Sequence, residues 1–492
     1  MRIPLTIATI ASLTILAQPR TADAFCGFYV AGAGAKLYND ATQVVLMRQG
    51  TRTVLSMQNN YKGPATDFAM VVPVPTVLQK SNVKVLPPRI FERVDQLSSP
   101  RLVEYWEQDP CAIPKMPKLA MKRPMVSGRS MAKRSRKKAD KDYQVTVEAR
   151  FEVGEYEILI LSAEEAVGLE NWLVDNKYKI PKGAAKVLRP YIASGMKFFV
   201  AKVDIEKVKY DKSGRTKLSP LRFHYDSDVF SLPVRLGLLN SSGQQDLLVY
   251  ILARNQRYEL ANYQNVTIPT NLRVRKRTRF HFARFYNSLF DDVMRKNPRS
   301  VVTEYSWQAM KCDPCPGPNA ALQPWELATL GADVLGGGSM ARSRPGRRGR
   351  RVRFRGGGFV LTRLHTRYSK RTLGEDLIFK AASPIVGGRE FIRGKRVEQG
   401  SHESSINNFQ ARYIIRHRWT GKITCENPRR GRWGGPPRWI AAKNQNASSR
   451  PAVATDLGLR KRRKVPVANY VLQHVPEIGL RWKYKGKRKR KK

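Results

Sequence analysis

Residues 25–80 read FCGFYVAGAGAKLYNDATQVVLMRQGTRTVLSMQNNYKGPATDFAMVVPVPTVLQK, and this stretch holds the first sheet-forming runs of the chain. The runs 44–47 (VVLM) and 53–57 (TVLSM) are rich in β-branched and long apolar residues, which favour strands. Residues 48–52 join them, and Gly50 can adopt the positive φ that a tight hairpin needs. The stretch therefore predicts a β-hairpin as the nucleus of a sheet at the start of the folded chain.

A third apolar run, 68–72 (FAMVV), ends at Pro73 and Pro75. Proline cannot donate to a β-ladder, so these residues indicate an edge of the sheet or an exit from it. The run 66–75, TDFAMVVPVP, resembles the DFGWVVPVP core of a secreted bacterial family known as domain of unknown function 2330.

Two further blocks support this resemblance. Residues 156–203 are similar to the family's strand, two helices and strand, and 218–223 (LSPLRF) are similar to its next motif. The resemblance covers about residues 25–310 and extends to about 440. It implies an exported protein with no established activity, so no catalytic residue is carried over from the family.

Residues 1–24 have the pattern of a secretory signal peptide. Arg2 supplies the positive start, residues 3–17 are apolar but short for a bilayer span, and Ala22-Asp23-Ala24 forms an A-x-A cleavage site. A lipid-modified Cys26 would follow a small residue, whereas Phe25 is bulky. The sequence therefore predicts export to the periplasm or beyond, with no transmembrane anchor in the mature chain.

Five cysteines follow the cleavage site, in a compartment where disulfides persist. We expect two bridges and one remaining thiol, with Cys26 bonded to Cys111 and Cys425 bonded to Cys312 or Cys315. The Cys312-Asp313-Pro314-Cys315 spacing is also that of redox motifs. A redox CxxC normally opens a helix that lowers the thiol pKa, but here 316–318 (PGP) prevents a clean helix start, so a structural disulfide is favoured.

The candidate chemistry is otherwise sparse. The six histidines, at positions 224, 281, 365, 402, 417 and 474, show no paired ligand spacing and are typical of ordinary surface or core residues. A zinc site built on the cysteines would need reduced thiols, which an oxidising compartment disfavours. The sequence therefore predicts no metal, no cofactor and no catalytic residue.

Period-2 and period-3.6 patterns predict the remaining elements. Strands are expected at 143–153, 156–161, 197–203, 221–225, 234–239, 246–253, 257–263, 359–368, 376–381 and 409–418, with a hairpin turn at 240–243. Helices are expected at 88–106 with a break near Pro100, after a capping box of Ser162 and Glu165, at 183–192 and at 279–296. The fold class is therefore α+β, with mostly antiparallel sheets, a few packed helices, long basic loops and a disordered C-terminal tail.

One local conflict accompanies the helix at 279–296. The basic run 273–279 (RVRKRTR) precedes it, and cations at a helix N-terminus are disfavoured by the helix dipole unless an anion bridges them.

Composition breaks predict how the chain is divided. We expect a signal peptide (1–24), an N-terminal β-rich domain with helices at its end (25–114), a basic linker (115–142), an α+β domain (143–310), a Cys/Gly/Arg-rich excursion (311–358), a C-terminal β segment (359–440) and a basic tail (441–492).

Charge is the outstanding property of the composition. The chain has 90 Lys and Arg against 39 Asp and Glu, a formal net charge of +51, which repels itself unless anionic material neutralises part of it. The excursion carries the densest run of guanidinium groups, which can grip phosphate or sulfate in pairs. The candidate polyanion contacts are Arg342, Arg344, Arg347, Arg348, Arg350, Arg351, Arg353 and Arg355.

Two functional hypotheses follow from these observations. The first is a non-catalytic envelope or secreted scaffold whose cationic loops bind anionic polymers. The second is an exported enzyme, a thiol oxidoreductase or a hydrolase, whose site is assembled from scattered residues. The first is favoured because no nucleophile–base pair or metal cluster is visible in the sequence.

Overall fold

The structure is a computed structural model. It describes residues 28–30, 42–58, 69–112, 145–176, 178, 183–208, 218–238, 245–312, 315, 320–335, 358–369, 372, 374–389, 398–436, 449–451 and 466–472.

Strands make up most of the regular structure. They are β1 (Phe28–Val30), β2 (Thr42–Gln49), β3 (Arg52–Met57), β4 (Ala69–Val74), β5 (Val83–Val85), β6 (Arg101–Glu107), β7 (Val145–Val153), β8 (Tyr156–Ala163), β9 (Lys197–Val203), β10 (Leu221–Asp226), β11 (Ser231–Leu232), β12 (Gln245–Arg254), β13 (Arg257–Leu260), β14 (Gln264–Thr267), β15 (Leu272–Arg273), β16 (Ser300–Gln308), β17 (Phe359–Tyr368), β18 (Leu377–Ala382), β19 (Ile385–Gly387), β20 (Ser401–Glu403), β21 (Asn408–Gln410), β22 (Arg412–His417), β23 (Trp433–Gly434) and β24 (Ser449–Pro451).

Helices flank these strands. They are α1 (Arg89–Ser98), α2 (Ala166–Asp175), α3 (Ala184–Ala193), α4 (Phe282–Lys296) and the short α5 (Pro324–Leu327). The predicted α+β class, with mostly antiparallel strand pairs, is confirmed.

The largest sheet has eleven strands in the order β20-β19-β21-β16-β17-β12-β2-β3-β10-β5, with β14 paired to β16. A five-stranded sheet, β1-β4-β9-β8-β7, packs over one of its faces. A second five-stranded group contains β15-β22-β6-β23, with β24 also paired to β6. Most neighbours are antiparallel, but several pairs are parallel, among them β2 with β12 and β6 with β22.

The large sheet is buried on both faces, because successive side chains of each strand point to opposite sides. In β2, Val45 and Met47 contact the core shared with α1 and α4, whereas Val44 and Leu46 contact the core shared with the five-stranded sheet. Helices α2 and α3 cover the far side of that smaller sheet. The layers therefore run helix, sheet, sheet, helix, which buries both sheets between helices.

The hairpin predicted from residues 44–57 is confirmed. Strands β2 and β3 pair in register from Val44 opposite Met57 to Gln49 opposite Arg52, and Gly50 has a φ of 57° in the turn. The third run continues through Pro73 to the end of β4, but β1 pairs with β4 only as far as Val71. Pro73 therefore lies past the end of one ladder, as expected at a partly open edge.

The prediction that residues 88–106 are helical is wrong in its second half. Helix α1 ends at Ser98, and β6 follows from Arg101 to Glu107, with all seven of its residues buried. Pairing along β22 gives these β-branched and aromatic residues a strand partner from a distant part of the chain, which local pattern cannot reveal.

Two smaller predictions are also wrong. The strand expected at 234–239 is absent from its described part, 234–238, which contains a 3₁₀ turn at Leu236–Leu238, because Pro233 interrupts the ladder and Leu236 packs among the helices α2 and α3. Ser162 does not cap α2: it lies in β8, where its hydroxyl donates to Glu148 at 2.5 Å, and Glu165 holds the N-cap position without a side-chain hydrogen bond. The turn at 240–243 lies outside the described residues.

The long helix expected at 279–296 begins at Phe282. Its predicted apolar face is confirmed as buried, and consists of Phe282, Phe285, Tyr286, Leu289, Phe290 and Val293.

Two short pieces of the predicted basic tail pack against the body of the protein. β24 pairs with β6, and Val471 forms a bridge with Val274 in the main core. The basic runs 460–464 and 481–492 lie outside the described residues. The division of the chain into domains stays a prediction, although strands from three of its segments pair within the eleven-stranded sheet.

Candidate functional site

Charged side chains occupy one core-facing side of β17. Because side chains alternate along a strand, Arg363, His365 and Arg367 share a face with Leu361, which packs in the core beneath α1 and α4. The intervening Leu364 points into the core on the other face of the sheet.

Arg363 has no exposure to solvent and binds two carboxylates from different elements. Its Nε donates to Glu304 of β16 at 2.6 Å, and its Nη1 donates to Asp95 of α1 at 2.5 Å. Tyr250 of β12 donates its hydroxyl to the same Asp95 at 2.9 Å. One guanidinium group thus links a helix to the centre of the sheet.

His365 lies between two carboxylates, those of Glu304 and Asp246. Its Nδ1 is 2.6 Å from Glu304 Oε1, its Nε2 is 3.7 Å from Asp246 Oδ1, and the ring stacks on Phe290 of α4 with 3.7 Å between centroids. Burial by itself would lower the pKa of His365, but the attraction of Glu304 and Asp246 outweighs burial and raises it. The imidazolium form is therefore favoured.

Arg367 completes the row. It donates to Asp246 of β12 at 2.7 Å and to Asp291 of α4 at 2.5 Å. Burial would raise the pKa of Asp246, but the charges of Arg367 and His365 lower it well below its ordinary value. Burial would likewise raise the pKa of Glu304, yet His365 and Arg363 lower it.

We call this network the charged core, and its members are Asp95, Asp246, Glu304, Arg363, His365 and Arg367. Each is less than a tenth exposed, so the network presents no surface to a ligand. Its arrangement instead holds α1 and α4 at fixed positions on the sheet, because each buried charge is stable only beside its partner.

Sequence analysis missed the charged core. Alternate charged residues in an apolar run are typical of a strand with one solvent-facing side, and Arg363, His365 and Arg367 have that pattern. The signal available was the presence of carboxylates at Asp246 and Glu304 inside two other apolar runs. Only the order of the strands in the sheet shows that these two runs lie beside β17, and that order could not be read from the sequence.

A second polar group lies where β6 and β22 end side by side. Glu104 is 1% exposed. Its Oε2 accepts from His417 Nε2 at 2.8 Å and forms an ion pair with Arg279 Nη2 at 3.2 Å. The Trp106 indole stacks on the His417 ring with 4.8 Å between centroids. Glu104 thereby supplies an anion for the basic run before α4, which resolves the conflict noted in the sequence.

Glu107, three residues further along β6, binds both ends of a surface loop. It accepts from the backbone N–H of Trp419 at 3.0 Å and of Gly431 at 2.8 Å, and Arg430 lies 3.4 Å away. Burial would raise the pKa of Glu107, but these N–H groups and the nearby cations lower it. We call residues 418–432 the stapled loop.

A disulfide and three hydrogen bonds hold the stapled loop along its length. Cys425 is bonded to Cys111, the Arg429 N–H donates to Pro110 at 2.9 Å, and the Gln108 N–H donates to Arg432 at 2.8 Å. The side chain of Arg432 also donates to the carbonyl of Ala112 at 2.8 Å. The loop is therefore fixed at its start, its middle and its end.

The predicted cysteine pairing is wrong. Cys111 pairs with Cys425, and Cys312 pairs with Cys315 at a Cα separation of 4.9 Å, while Cys26 lies outside the described residues. Cys111 and Cys425 meet because β6 and β22 run parallel, so the chain leaves both strands at the same edge. Cys315 is exposed, whereas Cys312 is half-buried against the main core.

The stapled loop is strongly cationic. It contains five Lys and Arg residues against one carboxylate, Glu426. Arg418, Lys422 and Arg429 are exposed, and they form no ion pair among the residues that the structure describes. Residues 420–424 are all exposed, including Ile423, whose exposure is 43%.

The eight candidate arginines between Arg342 and Arg355 lie outside the described residues, as do residues 1–24, which were predicted to be a signal peptide. Within the described ranges, no group of three or more His, Cys, Asp or Glu side chains is placed to hold a metal ion. No helix among the described residues is long and apolar enough to span a membrane.

Comparison with known proteins gives one match. A family model described as an uncharacterized protein conserved in bacteria, DUF2330, matches residues 20–380. No curated protein and no solved structure matches the chain. The matched range includes the whole charged core, and it ends before the stapled loop.

Proposed function

Given that the chain belongs to the uncharacterized bacterial family DUF2330, we propose that it is an exported, non-catalytic scaffold whose cationic loops bind anionic polymers of the envelope or cell exterior. The proposal rests on where the charges lie. The family carries no assigned activity, so the argument comes from this chain's own residues.

The balance of buried charges is the observation that carries the proposal. Among the described residues, seven arginines and eight carboxylates are buried: Arg48, Arg101, Arg222, Arg257, Arg363, Arg367 and Arg412 against Asp95, Glu104, Glu107, Glu155, Asp246, Glu304, Glu326 and Glu398. The core therefore contains carboxylates and guanidinium groups in nearly equal numbers. The excess of +51 is carried by residues outside this core, where an anionic partner can neutralise it.

Export is part of the same proposal. The pattern of residues 1–24 supports it, and so do two disulfides, because disulfides persist chiefly in oxidising compartments. In the periplasm or outside the cell, polymers rich in phosphate, sulfate or carboxylate groups are the partners that a cationic surface fits.

Retention on an immobilised polyanion tests the proposal. The mature chain should bind polyphosphate resin and elute only at raised salt, because each neutralised phosphate releases counterions. Replacing the eight arginines from Arg342 to Arg355 by glutamine should lower the elution salt and flatten the salt dependence. The matched control replaces the same eight by lysine, which keeps the charge and should keep the salt dependence. Unchanged elution of the glutamine variant, or wild-type elution at low salt, would contradict the proposal.

The exposure of Cys315 keeps a thiol oxidoreductase as the second candidate. Such an enzyme would need a Cys312–Cys315 couple that mild thiols reduce and that a substrate reoxidises. Cys315→Ser should then abolish disulfide exchange with a model substrate. A scaffold shows no exchange in either form, so the assay separates the two functions.

A further inference from the structure

Hydrogen bonds and a disulfide hold the stapled loop in place, and not an apolar core of its own. Glu107 holds Trp419 and Gly431, and the disulfide holds Cys425, while residues 420–424 between these anchors are exposed. A loop fixed before it meets a partner loses little conformational entropy on binding. This preorganisation is what a docking surface requires.

The exposed groups of the loop have a definite chemistry. Arg418, Lys422 and Arg429 present positive charge to solvent, whereas Arg430 is turned to Glu107. Ile423 stands next to Lys422, and 43% of it is exposed to solvent. Cations flanking an exposed aliphatic side chain are typical of surfaces that lie on a bilayer, where phosphates meet the cations and acyl chains receive the apolar group.

We infer that the stapled loop docks on the surface of a bilayer that contains anionic phospholipids. The inference rests on the proposed function and names the partner of one cationic loop. A soluble polyanion would complement the cations equally well, but it offers no apolar environment for Ile423. A lipid surface satisfies both features of the loop.

The expected size of the effect follows from the number of cations. Each Lys or Arg close to an anionic bilayer strengthens partitioning roughly fivefold, so three contribute about a hundredfold. Insertion of Ile423 adds a further several-fold gain that does not depend on salt.

The experiment uses the mature full-length chain and sedimentation with vesicles of phosphatidylcholine mixed with phosphatidylglycerol. The triple variant R418Q/K422Q/R429Q should lose about a hundredfold in partitioning. The control R89Q/K186Q/R189Q removes three exposed cations from α1 and α3 and should change partitioning little. Because both variants lose the same net charge, equal losses would overturn the loop as the docking site.

A second variant separates lipid from soluble polyanion. Ile423→Ser should weaken vesicle binding several-fold and leave retention on polyphosphate resin unchanged. Two results together would assign the loop to a soluble polyanion. Ile423→Ser would leave vesicle binding unchanged, and the triple variant would weaken binding to vesicles and to resin equally. This outcome would overturn the present inference alone. Failure of the wild type on the resin itself would overturn the proposed function.

Discussion

Arg363 is the residue on which the charged core depends, because it binds both Asp95 and Glu304. Arg363→Met would leave two buried carboxylates without their shared cation, at a cost of about 3–5 kcal/mol in the free energy of unfolding. Arg52→Met is the control: its pair with Asp226 is exposed, so its loss should cost about 1 kcal/mol or less. Urea unfolding measures both variants, and equal losses would contradict the structural role of the charged core.

His365 gives the protein a dependence on pH that the sequence did not predict. Although burial lowers its pKa, Glu304 and Asp246 raise it above the ordinary value of 6.5 in the folded state. The stabilisation is therefore complete below about pH 6.5 and is lost as the pH rises through the raised pKa. The lowered pKa values of Glu304 and Asp246 act in the opposite sense, since their stabilisation is lost in acid.

Unfolding of the wild type and of His365→Gln in urea, at a series of pH values from acid to alkaline, checks this expectation. The difference in unfolding free energy between the two proteins should shrink as the pH rises above about 6.5. A difference that is constant over this range would show that folding does not raise the pKa of His365.

At the scale of elements, the two disulfides should differ in their contributions. The bond between Cys111 and Cys425 joins residues 314 apart, so by loop-closure entropy it should contribute about 5–6 kcal/mol. Cys312 and Cys315 are three apart, and the same relation gives about 2 kcal/mol. Unfolding of C111S/C425S and C312S/C315S should show the first pair to be the larger loss. The reverse order would mean that the 312–315 bond supports structure beyond its own turn.

The local sequence pattern predicted an element correctly where that element is determined by its own residues. The hairpin of β2 and β3 needs only two apolar runs and a glycine at the turn, and α4 needs only an apolar stripe at spacings of three and four. Strand β6 was mistaken for a helix because its partner β22 lies more than three hundred residues away in sequence. The capping box failed for a related reason, since Ser162 bonds across the β7–β8 hairpin.

The candidate sites were harder to predict than the elements. The charged core takes residues from α1, β12, β16 and β17, and none of them forms a motif with its neighbours in sequence. The stapled loop depends on Glu107 and Cys111, which enter it only because β6 and β22 are parallel. Sequence supplied the charge and the cysteines, and the topology decided which of them meet.

At the scale of the whole molecule, burial on both faces of the large sheet explains why so many charges are internal. A strand with apolar residues on one side normally turns its polar side to water. Here α1 and α4 cover that side, so Arg363, His365 and Arg367 must find partners within the core. The buried arginines and carboxylates of the described residues nearly balance one another, so the net positive charge of the chain lies outside the core.

This partition of charge predicts how salt affects the fold. Self-repulsion of the exterior acts over the Debye length, about 30 Å at 0.01 M ionic strength and about 8 Å at 0.15 M, whereas buried pairs are screened far less. Exposed pairs such as Arg52 with Asp226 would be weakened by salt, but each contributes only about 1 kcal/mol or less. The thermal midpoint should therefore rise when sodium chloride is added between these two ionic strengths, and polyphosphate should raise it at a much lower concentration. Sucrose at matched osmolality controls for general solute effects. A midpoint that falls with salt would show that exposed ion pairs outweigh self-repulsion, and it would remove the electrostatic reason for an anionic partner.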